Sequence, residues 1–224
     1  MIEQRGKFMG PENQLTRAQI KRRNRSNIYR MILDGHGVSR QDIARVLDLS
    51  LPTVQNNLTD LIQEGLVQKT GFLGDTGGRK AYTYEIVPDA RTAIGFDITR
   101  HHITAVAVDL KGEIMGRIRI RHDFEMSDGY MQKLGEIARE LLEESGIKED
   151  SVLGAGIGIP GLTTEDNRQV FYGQILDFEG ADCSEFSRYI PFQTALFNDA
   201  KAAAFAEFHS HPDMKSAFYI MLSN

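Results

Sequence analysis

The sequence has a single cysteine, Cys183, and no tryptophan in its 224 residues. One thiol excludes an internal disulfide and any multi-cysteine zinc site within the chain. The six histidines show no metal-ligand spacing, since the adjacent His101 and His102 would point to opposite faces of a strand. No apolar run approaches the ~20 residues that span a bilayer, and the first residues lack the apolar stretch of a signal peptide. These absences predict a cytoplasmic protein with no metal, no other cofactor and no membrane partner.

Positive charge is the minority sign overall, but it is concentrated at one end. The net charge is −5, yet residues 1–91 hold 14 Lys and Arg against 10 Asp and Glu, and residues 92–224 hold 12 against 21. Phosphate binding requires local positive charge rather than a positive whole molecule. The distribution predicts a basic module that can meet nucleic acid, joined to an acidic module.

The basic half has the periodicity of helices. Three are predicted: one from Thr16 to about Gly35, one beginning at Ser39, and one over Leu51–Gln63. Ser39 with Asp42 three residues later has the form of a capping box. The basic run at 21–25 lies on the first helix and is either a solvated face or a phosphate contact. The preceding residues, 1–15, are polar and aperiodic, which predicts a flexible tail.

The third predicted helix separates an apolar face from an uncharged polar one. Its core residues are Val54, Leu58, Leu61 and Ile62. Turning ~100° per residue from Val54 points Pro52, Thr53, Asn56 and Thr59 outward and leaves Gln55 and Asn57 on the flanks. Amide side chains pair bidentately with adenine and a threonine methyl meets thymine, so this face predicts a major-groove reader. A solvated surface helix is the alternative, although it would carry more Glu and Lys. The candidate DNA-binding residues here are Arg40, Pro52, Thr53, Gln55, Asn56 and Asn57.

A hairpin with a basic tip follows the third helix. Its predicted strands are 66–69 and 81–86, and the tip holds three glycines and then Arg79-Lys80. This arrangement predicts a wing whose cations contact the sugar-phosphate backbone, positioning the protein without reading sequence. A nucleotide-phosphate loop is disfavoured because no helix follows the glycines. Residues 16–91 are therefore predicted to form a winged helix-turn-helix that binds double-stranded DNA.

The acidic half predicts an α/β fold class with a mixed sheet. The predicted strands are 93–98, 102–109, 113–121, 152–159, 194–197 and 217–222, and the predicted helices are 128–145 and 199–208, the latter with a core-facing alanine stretch. Two places could carry chemistry. Glycines at 156–161 allow a ligand or the backbone to approach closely, with plain packing as the alternative. Asn198-Asp199 ends a strand, where open α/β sheets bind ligands, but it also stands where a helix cap would.

Taken in order, these features resemble the ROK family (repressors, open reading frames and sugar kinases), and in particular its repressor branch. The likeness is carried by the helix-turn-helix, Gly77-Gly78-Arg79-Lys80, Gly156–Gly161 and the segment Asn198–Ala204. The resemblance implies that residues 92–224 form the first lobe of an actin-like (ribonuclease-H-like) sugar-kinase fold. It also implies that Gly161, Asn198 and Asp199 bind a sugar, with Asp199 at the position of the catalytic base of the kinase members.

Three departures from the family pattern change what the resemblance implies. Family kinases have Asp-Ile-Gly-Gly-Thr after the first strand, whereas this chain has Asp97-Ile98-Thr99-Arg100-His101, so no nucleotide site is expected. The run 174–177 offers no clear equivalent of the family asparagine that precedes a leucine. The chain ends where a second phosphate loop would begin, so the second lobe, with its histidine-cysteine zinc motif, is expected to be absent.

The expected function is a sequence-specific transcription regulator that represses carbohydrate genes and responds to a sugar or phosphosugar. It is expected to be no enzyme and to bind its operator as a homodimer or higher oligomer, since helix-turn-helix proteins read paired half-sites. One alternative is an ATP-dependent sugar kinase, favoured only by Asp199 and the fold resemblance. The other is a sugar-blind protein whose acidic half only assembles the DNA-binding half.

Overall fold

The computed structural model describes residues 16–35, 37–72, 82–178, 180–211, 216 and 219. It divides into two compact units, Met1–Val87 and Pro88–Asn224. The tail at 1–15, the wing cations Arg79 and Lys80, and all but Tyr219 of the strand expected at 217–222 lie outside the described residues. In the described ranges, no helix is both long enough and apolar enough to cross a membrane.

The first unit is a winged helix-turn-helix. Its elements are α1 (Arg17–Asp34), β1 (Val38–Ser39), α2 (Arg40–Val46), α3 (Leu51–Gln63), β2 (Val67–Phe72) and β3 (Tyr82–Ile86). The strands form an antiparallel sheet in the order β1-β3-β2. Helix α3 contacts both α1 and α2, and the core residues of the three helices are 0–1% exposed: Ile28 and Ile32 of α1, Ile43 of α2, and Val54, Leu58 and Leu61 of α3. This confirms the fold class predicted for the basic half.

Polar side chains set where the three helices of this unit begin. Thr16 and Gln19 form a reciprocal capping box at α1. Ser39 accepts the Asp42 N–H at 3.1 Å and donates its hydroxyl to the Asp42 carboxylate at 2.6 Å. That donation, together with Arg45, lowers the pKa of Asp42. Ser50 caps α3 by accepting from Thr53. Each cap satisfies backbone donors that the first turn leaves without an intrahelical partner.

The second unit has a mixed five-stranded sheet, as the α/β pattern predicts. Its elements are β4 (Thr92–Ile98), β5 (His102–Val108), β6 (Ile114–Arg121), α4 (Asp128–Ser145), β7 (Val152–Ile159), β8 (Leu162–Thr163), β9 (Gln169–Tyr172), β10 (Ala181–Asp182), α5 (Cys183–Phe186), β11 (Thr194–Asn198) and α6 (Asp199–Ser210). The sheet order is β11-β7-β4-β5-β6, in which β11, β7 and β4 run parallel and β5 and β6 are antiparallel. A second small sheet, β10-β9-β8, occupies a region for which the sequence pattern predicts no elements.

One face of the five-stranded sheet packs into the buried hydrophobic core. Ile103, Ala105 and Ala107 of β5 are 0% exposed and pack beneath α4, whose Leu134, Ile137 and Ala138 are also at 0%. The alternate residues of β4, β5 and β7 lie on the opposite face and are half-exposed, except Asp97 of β4, which is exposed. The core is therefore built on one side of the sheet, and the carboxyl ends of β4, β7 and β11 meet at a common edge.

Helix α6 differs from its prediction. Its alanines were expected to face a core, but every α6 residue whose side chain the structure describes is half-buried or exposed. Alanine has the highest helix propensity whether or not it is buried, because it loses no side-chain entropy. An alanine run thus predicts a helix correctly while giving no information about its burial.

Candidate functional site

Helix α3 presents a polar face opposite its buried one. Val54 and Leu58 are fully buried, whereas Pro52, Asn56 and Thr59 are exposed and Thr53 is half-exposed. No charged group lies among the outward positions predicted for base contact. The face therefore offers amides, hydroxyls and a methyl group, the groups that discriminate bases in a major groove.

Gln55 is held in place by two neighbours. Its Oε1 accepts from Arg40 Nη1 at 2.8 Å, and its Nε2 donates to Thr59 Oγ1 at 3.2 Å. Arg40 is the first residue of α2, so this bond ties the amino-terminal end of α2 to the polar side of α3. The structure thus brings together two residues that the sequence nominates separately for DNA binding.

Asn57 requires a correction. Predicted on a flank of the DNA-facing side, it is only 4% exposed, and its Nδ2 donates to the Thr53 carbonyl at 2.8 Å. Its Oδ1 is buried with no hydrogen-bond partner. The physical reason is that a step of three residues at ~100° each returns Asn57 to within about 60° of Val54. The side chain belongs to the buried face and is unavailable to a duplex in this conformation.

Part of the basic run on α1 forms ion pairs within the first unit. Lys21 Nζ lies 3.4 Å from Asp60 Oδ2, and Arg25 forms a short ion pair with Glu64. Both acids lie at the carboxyl-terminal end of α3, so these pairs brace α1 against the polar helix. Arg22 and Arg23 are exposed on the same run.

A cation that sequence reasoning missed lies beside α3. Lys69 of β2 places its ammonium 5.3 Å from the centre of the Tyr82 ring. With Gln55 and Thr59 it lines a groove between α3 and β2. Its position on the strand leading to the predicted basic tip is the signal that could have identified it. The tip cations Arg79 and Lys80 lie outside the described residues.

In the second unit, the structure brings Gly161, Asn198 and Asp199 together. Asn198 Nδ2 donates to the Gly161 carbonyl at 2.9 Å and to Asp199 Oδ1 at 3.2 Å. Asn198 Oδ1 accepts the Lys201 N–H at 2.9 Å, and Asp199 Oδ1 accepts the Ala200 N–H at 2.7 Å. Asn198 is therefore the amino-terminal cap of α6, and Asp199 retains a second carboxylate oxygen for another partner.

Asp97 joins this edge of the sheet as a second carboxylate. It lies near the end of β4, opposite Gly158 in the register with β7. Partial burial and the charge of Asp199 raise the pKa of Asp97, while Arg119 opposes the shift. Its position at the end of a parallel strand is the signal that could have placed it in the candidate site. Two carboxylates, Asp97 and Asp199, thus lie near each other at this edge of the sheet.

Close packing explains the absence of a side chain at some glycines of 156–161 but not at others. A Cβ on Gly161 would lie 2.7 Å from the Tyr172 carbonyl oxygen, and one on Gly156 would lie 3.3 Å from the Phe197 ring. At these two positions packing accounts for glycine. At Gly158 the nearest atom is 3.4 Å away, an ordinary contact, so close packing does not explain its glycine.

The turn after β4 is held by Arg100. Its Nη2 donates to the Ile175 carbonyl at 2.6 Å and lies 3.1 Å from Asp177 Oδ2. The turn that lacks the family kinases' glycines therefore carries a side chain that is hydrogen-bonded to the 3-10 turn Gln174–Leu176. Throughout the described segments, no cluster of three or more His, Cys, Asp or Glu is arranged to hold a metal ion.

Comparison with known proteins identifies both units. Residues 93–224, more than half of the chain, match the sequence profile of the ROK family. The chain belongs to the ROK family. Residues 21–68 match the profile described as winged helix-turn-helix DNA-binding. The solved structure of a ROK family transcriptional regulator, a homologue of the E. coli MLC protein, covers 87% of this ROK chain and 50% of its own length, with a TM-score of 0.68 at 20% identity. That likeness establishes the shared fold.

Curated relatives of this ROK chain include named repressors. The xylose repressor of Caldicellulosiruptor bescii is 27% identical over 197 residues, which are 84% of this chain and 48% of that protein. The DNA-binding transcriptional dual regulator NagC of Escherichia coli K12 is 24% identical over 155 residues, 68% of this chain and 38% of NagC. The chain spans about half the length of the curated relatives it matches.

Proposed function

We propose that this ROK chain is a sugar-responsive, DNA-binding transcriptional repressor that acts as a homo-oligomer. The observation that carries the proposal is the polar face of α3, with Gln55 fixed between Arg40 and Thr59. A pre-positioned amide loses less conformational freedom on binding than a mobile one, which favours selective base contacts. The matches to a xylose repressor and to NagC support the same conclusion.

Most of the nominated residues have one of two proposed roles at the duplex. Thr53, Gln55 and Asn56 contact base edges, and Pro52 lies at the exposed start of the same helix. Arg79 and Lys80 contact phosphates from the wing, a role in which they set affinity without sequence preference. A homodimer would place two copies of α3 in successive major grooves about one helical turn apart.

The second unit is proposed to bind a sugar or phosphosugar without turning it over. Gly161, Asn198 and Asp199 converge at the sheet edge, where Asp199 keeps an oxygen that can accept from a sugar hydroxyl. The turn after β4, occupied by Arg100 rather than by glycines, supports a binding role without phosphoryl transfer.

The proposal is tested by selecting bound duplexes from a random pool and titrating the selected duplex by fluorescence anisotropy. We expect specific binding that weakens steeply with salt, because phosphate contacts release counterions. A panel of sugars and phosphosugars should contain one that weakens this binding, and Asp199→Asn should remove that response. Equal affinity for the selected duplex and a heparin-like polyanion would overturn the DNA-binding role. Sugar-dependent ATP turnover that is lost in Asp199→Asn would overturn the non-enzymatic role.

A further inference from the structure

Lys69 lies on β2 at the point where the hairpin of the first unit emerges from the core. Val67, two residues earlier, is 2% exposed and, with Ile62 of α3, lines the groove between α3 and β2. Residues two positions apart on a strand share a face, so Lys69 continues this buried face outward, yet its own side chain is exposed. An exposed cation therefore directly follows the covered part of the strand.

The Tyr82 ring orients the Lys69 ammonium. Lys69 lies opposite Tyr84 in the register of β2 with β3, which makes Tyr82 its diagonal neighbour on the same face. The Lys69 Nζ lies 5.3 Å from the centre of the Tyr82 ring. The quadrupole of an aromatic ring attracts a cation without neutralising it. Among the described residues, no carboxylate forms an ion pair with Lys69, so its charge and its N–H donors are available to a ligand.

Lys69 shares its surroundings with the polar face of α3. Together with Gln55 and Thr59 it lines the groove between α3 and β2. Because Gln55 Nε2 donates to Thr59 Oγ1, the two α3 side chains form a fixed wall beside the ammonium. A segment that covered Lys69 would also cover Gln55 and Thr59. Whatever meets this side of α3 therefore meets Lys69 as well.

The order of these features along the chain fits the cross-section of a DNA duplex. One sugar-phosphate strand separates each major groove from the neighbouring minor groove. Helix α3 is proposed to enter the major groove, and β2 leads from α3 towards the tip that carries Arg79 and Lys80. Lys69 lies between the two along the chain, at the place where a hairpin that extends beyond α3 crosses that strand.

We propose that Lys69, oriented by Tyr82, binds a phosphodiester of the strand that separates the groove read by α3 from the groove beyond it. The inference rests on the proposed DNA-binding function and adds a contact beside the core of the first unit to those expected from the wing. An ammonium binds a phosphate oxygen as a point charge, so the contact is the same for every sequence. Lys69 therefore contributes to affinity, while α3 retains the choice of sequence.

The test replaces Lys69 by Gln in the whole chain and measures anisotropy on the selected duplex and on a scrambled duplex. We expect the Kd to rise about tenfold at about 50 mM salt and about threefold at about 200 mM, because one phosphate contact contributes about 0.9 to the slope of log K against log salt. The rise should be equal for both duplexes. Lys69→Arg keeps the charge and should keep the wild-type slope.

Lys111→Gln is the matched control for net charge. It removes the same charge from an exposed lysine that lies in the turn between β5 and β6 of the second unit. The variant should leave both the Kd and the salt slope unchanged. The same loss in Lys111→Gln as in Lys69→Gln would overturn the proposal, because the effect would then belong to net charge alone.

Variants of Tyr82 test whether the ring orients the ammonium. Tyr82→Phe retains the ring and should bind like the wild type, whereas Tyr82→Leu should raise the Kd about twofold and retain the salt slope, since the charge is still present. In the Lys69→Gln background, Tyr82→Leu should have no further effect. An additional loss there would contradict the positioning role of Tyr82 and assign the residue to the fold.

The remaining outcomes separate this contact from the proposed function on which it rests. Wild-type duplex binding with an unchanged salt slope in Lys69→Gln would overturn the contact alone. A loss confined to the selected duplex would also overturn it, because Lys69 would then read a base edge. Failure of the wild type to prefer duplex over a heparin-like polyanion would overturn the proposed function, and this contact with it.

Discussion

Arg40 Nη1 donates to Gln55 Oε1 across 2.8 Å, joining the first residue of α2 to the polar side of α3. The bond uses the acceptor end of the Gln55 amide, and the Nε2 end donates to Thr59. Gln55 therefore has a defined amide orientation before any duplex arrives. We therefore propose that Arg40 acts on base contacts through Gln55 as well as through its own charge.

Arg40→Ala should reduce discrimination among duplexes more than it reduces nonspecific binding. A bidentate amide contact contributes about 1–3 kcal/mol of discrimination, and part of that is expected to disappear when Gln55 loses its anchor. The measurement is competition anisotropy between the selected duplex and its single-base variants. Arg45→Ala is the matched control, because Arg45 also lies on α2 and, among the described residues, pairs with Asp42 alone.

A double variant tests whether Arg40 and Gln55 are energetically coupled. If Arg40 acts through Gln55, the double variant Arg40→Ala/Gln55→Ala should discriminate little less than Gln55→Ala alone. Fully additive losses from the two changes would contradict a positioning role and assign Arg40 to phosphate contact only.

Asn57→Leu should raise the free energy of unfolding of the first unit by about 1 kcal/mol, because it removes a buried oxygen without a partner. Duplex affinity should remain near that of the wild type. Asn56→Ala, one residue away and exposed, should do the reverse, leaving stability nearly unchanged and weakening specific binding. Urea unfolding and anisotropy on the same samples make the comparison. Loss of duplex binding in a stable Asn57→Leu protein would contradict the buried assignment.

The outcome for α3 illustrates what sequence periodicity can predict. Its bounds, Leu51–Gln63, match the expectation because Val54, Leu58 and Leu61 recur at helical spacing and Ser50 supplies the cap. The error at Asn57 has a different origin. At about 60° from Val54 the helical angle alone puts Asn57 on a flank. The buried face of α3 is wide enough to include that angle, so the side chain lies with the apolar residues, where one amide hydrogen bond compensates only half of its polar group.

The region after Gly161 could not be predicted in the same way. Strands β8 and β10 have two residues each, too few for alternation to appear, and they exist through pairing with β9. Arg100 and Ile175 are likewise 75 positions apart in sequence, and no local sequence pattern predicts their hydrogen bond. The candidate sugar site was predictable at Asn198-Asp199, where a strand ends, but its closure by Asn198 on Gly161 depends on the parallel pairing of β11 with β7.

Gly161→Ala should destabilise the second unit by about 1–3 kcal/mol, because the added methyl group meets the Tyr172 backbone and forces β9 to shift. Gly129→Ala, in the first turn of α4, adds the same methyl where only the Ser127 hydroxyl lies near, at 4.0 Å, and should be neutral or stabilising. Urea unfolding measures both. Equal stability of the two variants would contradict the packing explanation for Gly161.

Asp97→Asn should make the second unit more stable near neutral pH. Partial burial and Asp199 raise the pKa of Asp97, so its contribution to stability is present below the unfolded pKa and is lost as pH rises through the folded pKa. The variant does not titrate, and its advantage over the wild type should therefore shrink as pH falls through the raised folded pKa, and it should be gone below the unfolded value of about 4. Asp128→Asn should change stability in the opposite direction, because hydrogen bonds from Tyr189 and Arg188 lower the pKa of Asp128. That variant should be less stable near neutral pH, with a deficit that closes on acidification. Urea unfolding across this pH range compares both with the wild type, and parallel pH profiles for the two variants would rule out this electrostatic arrangement.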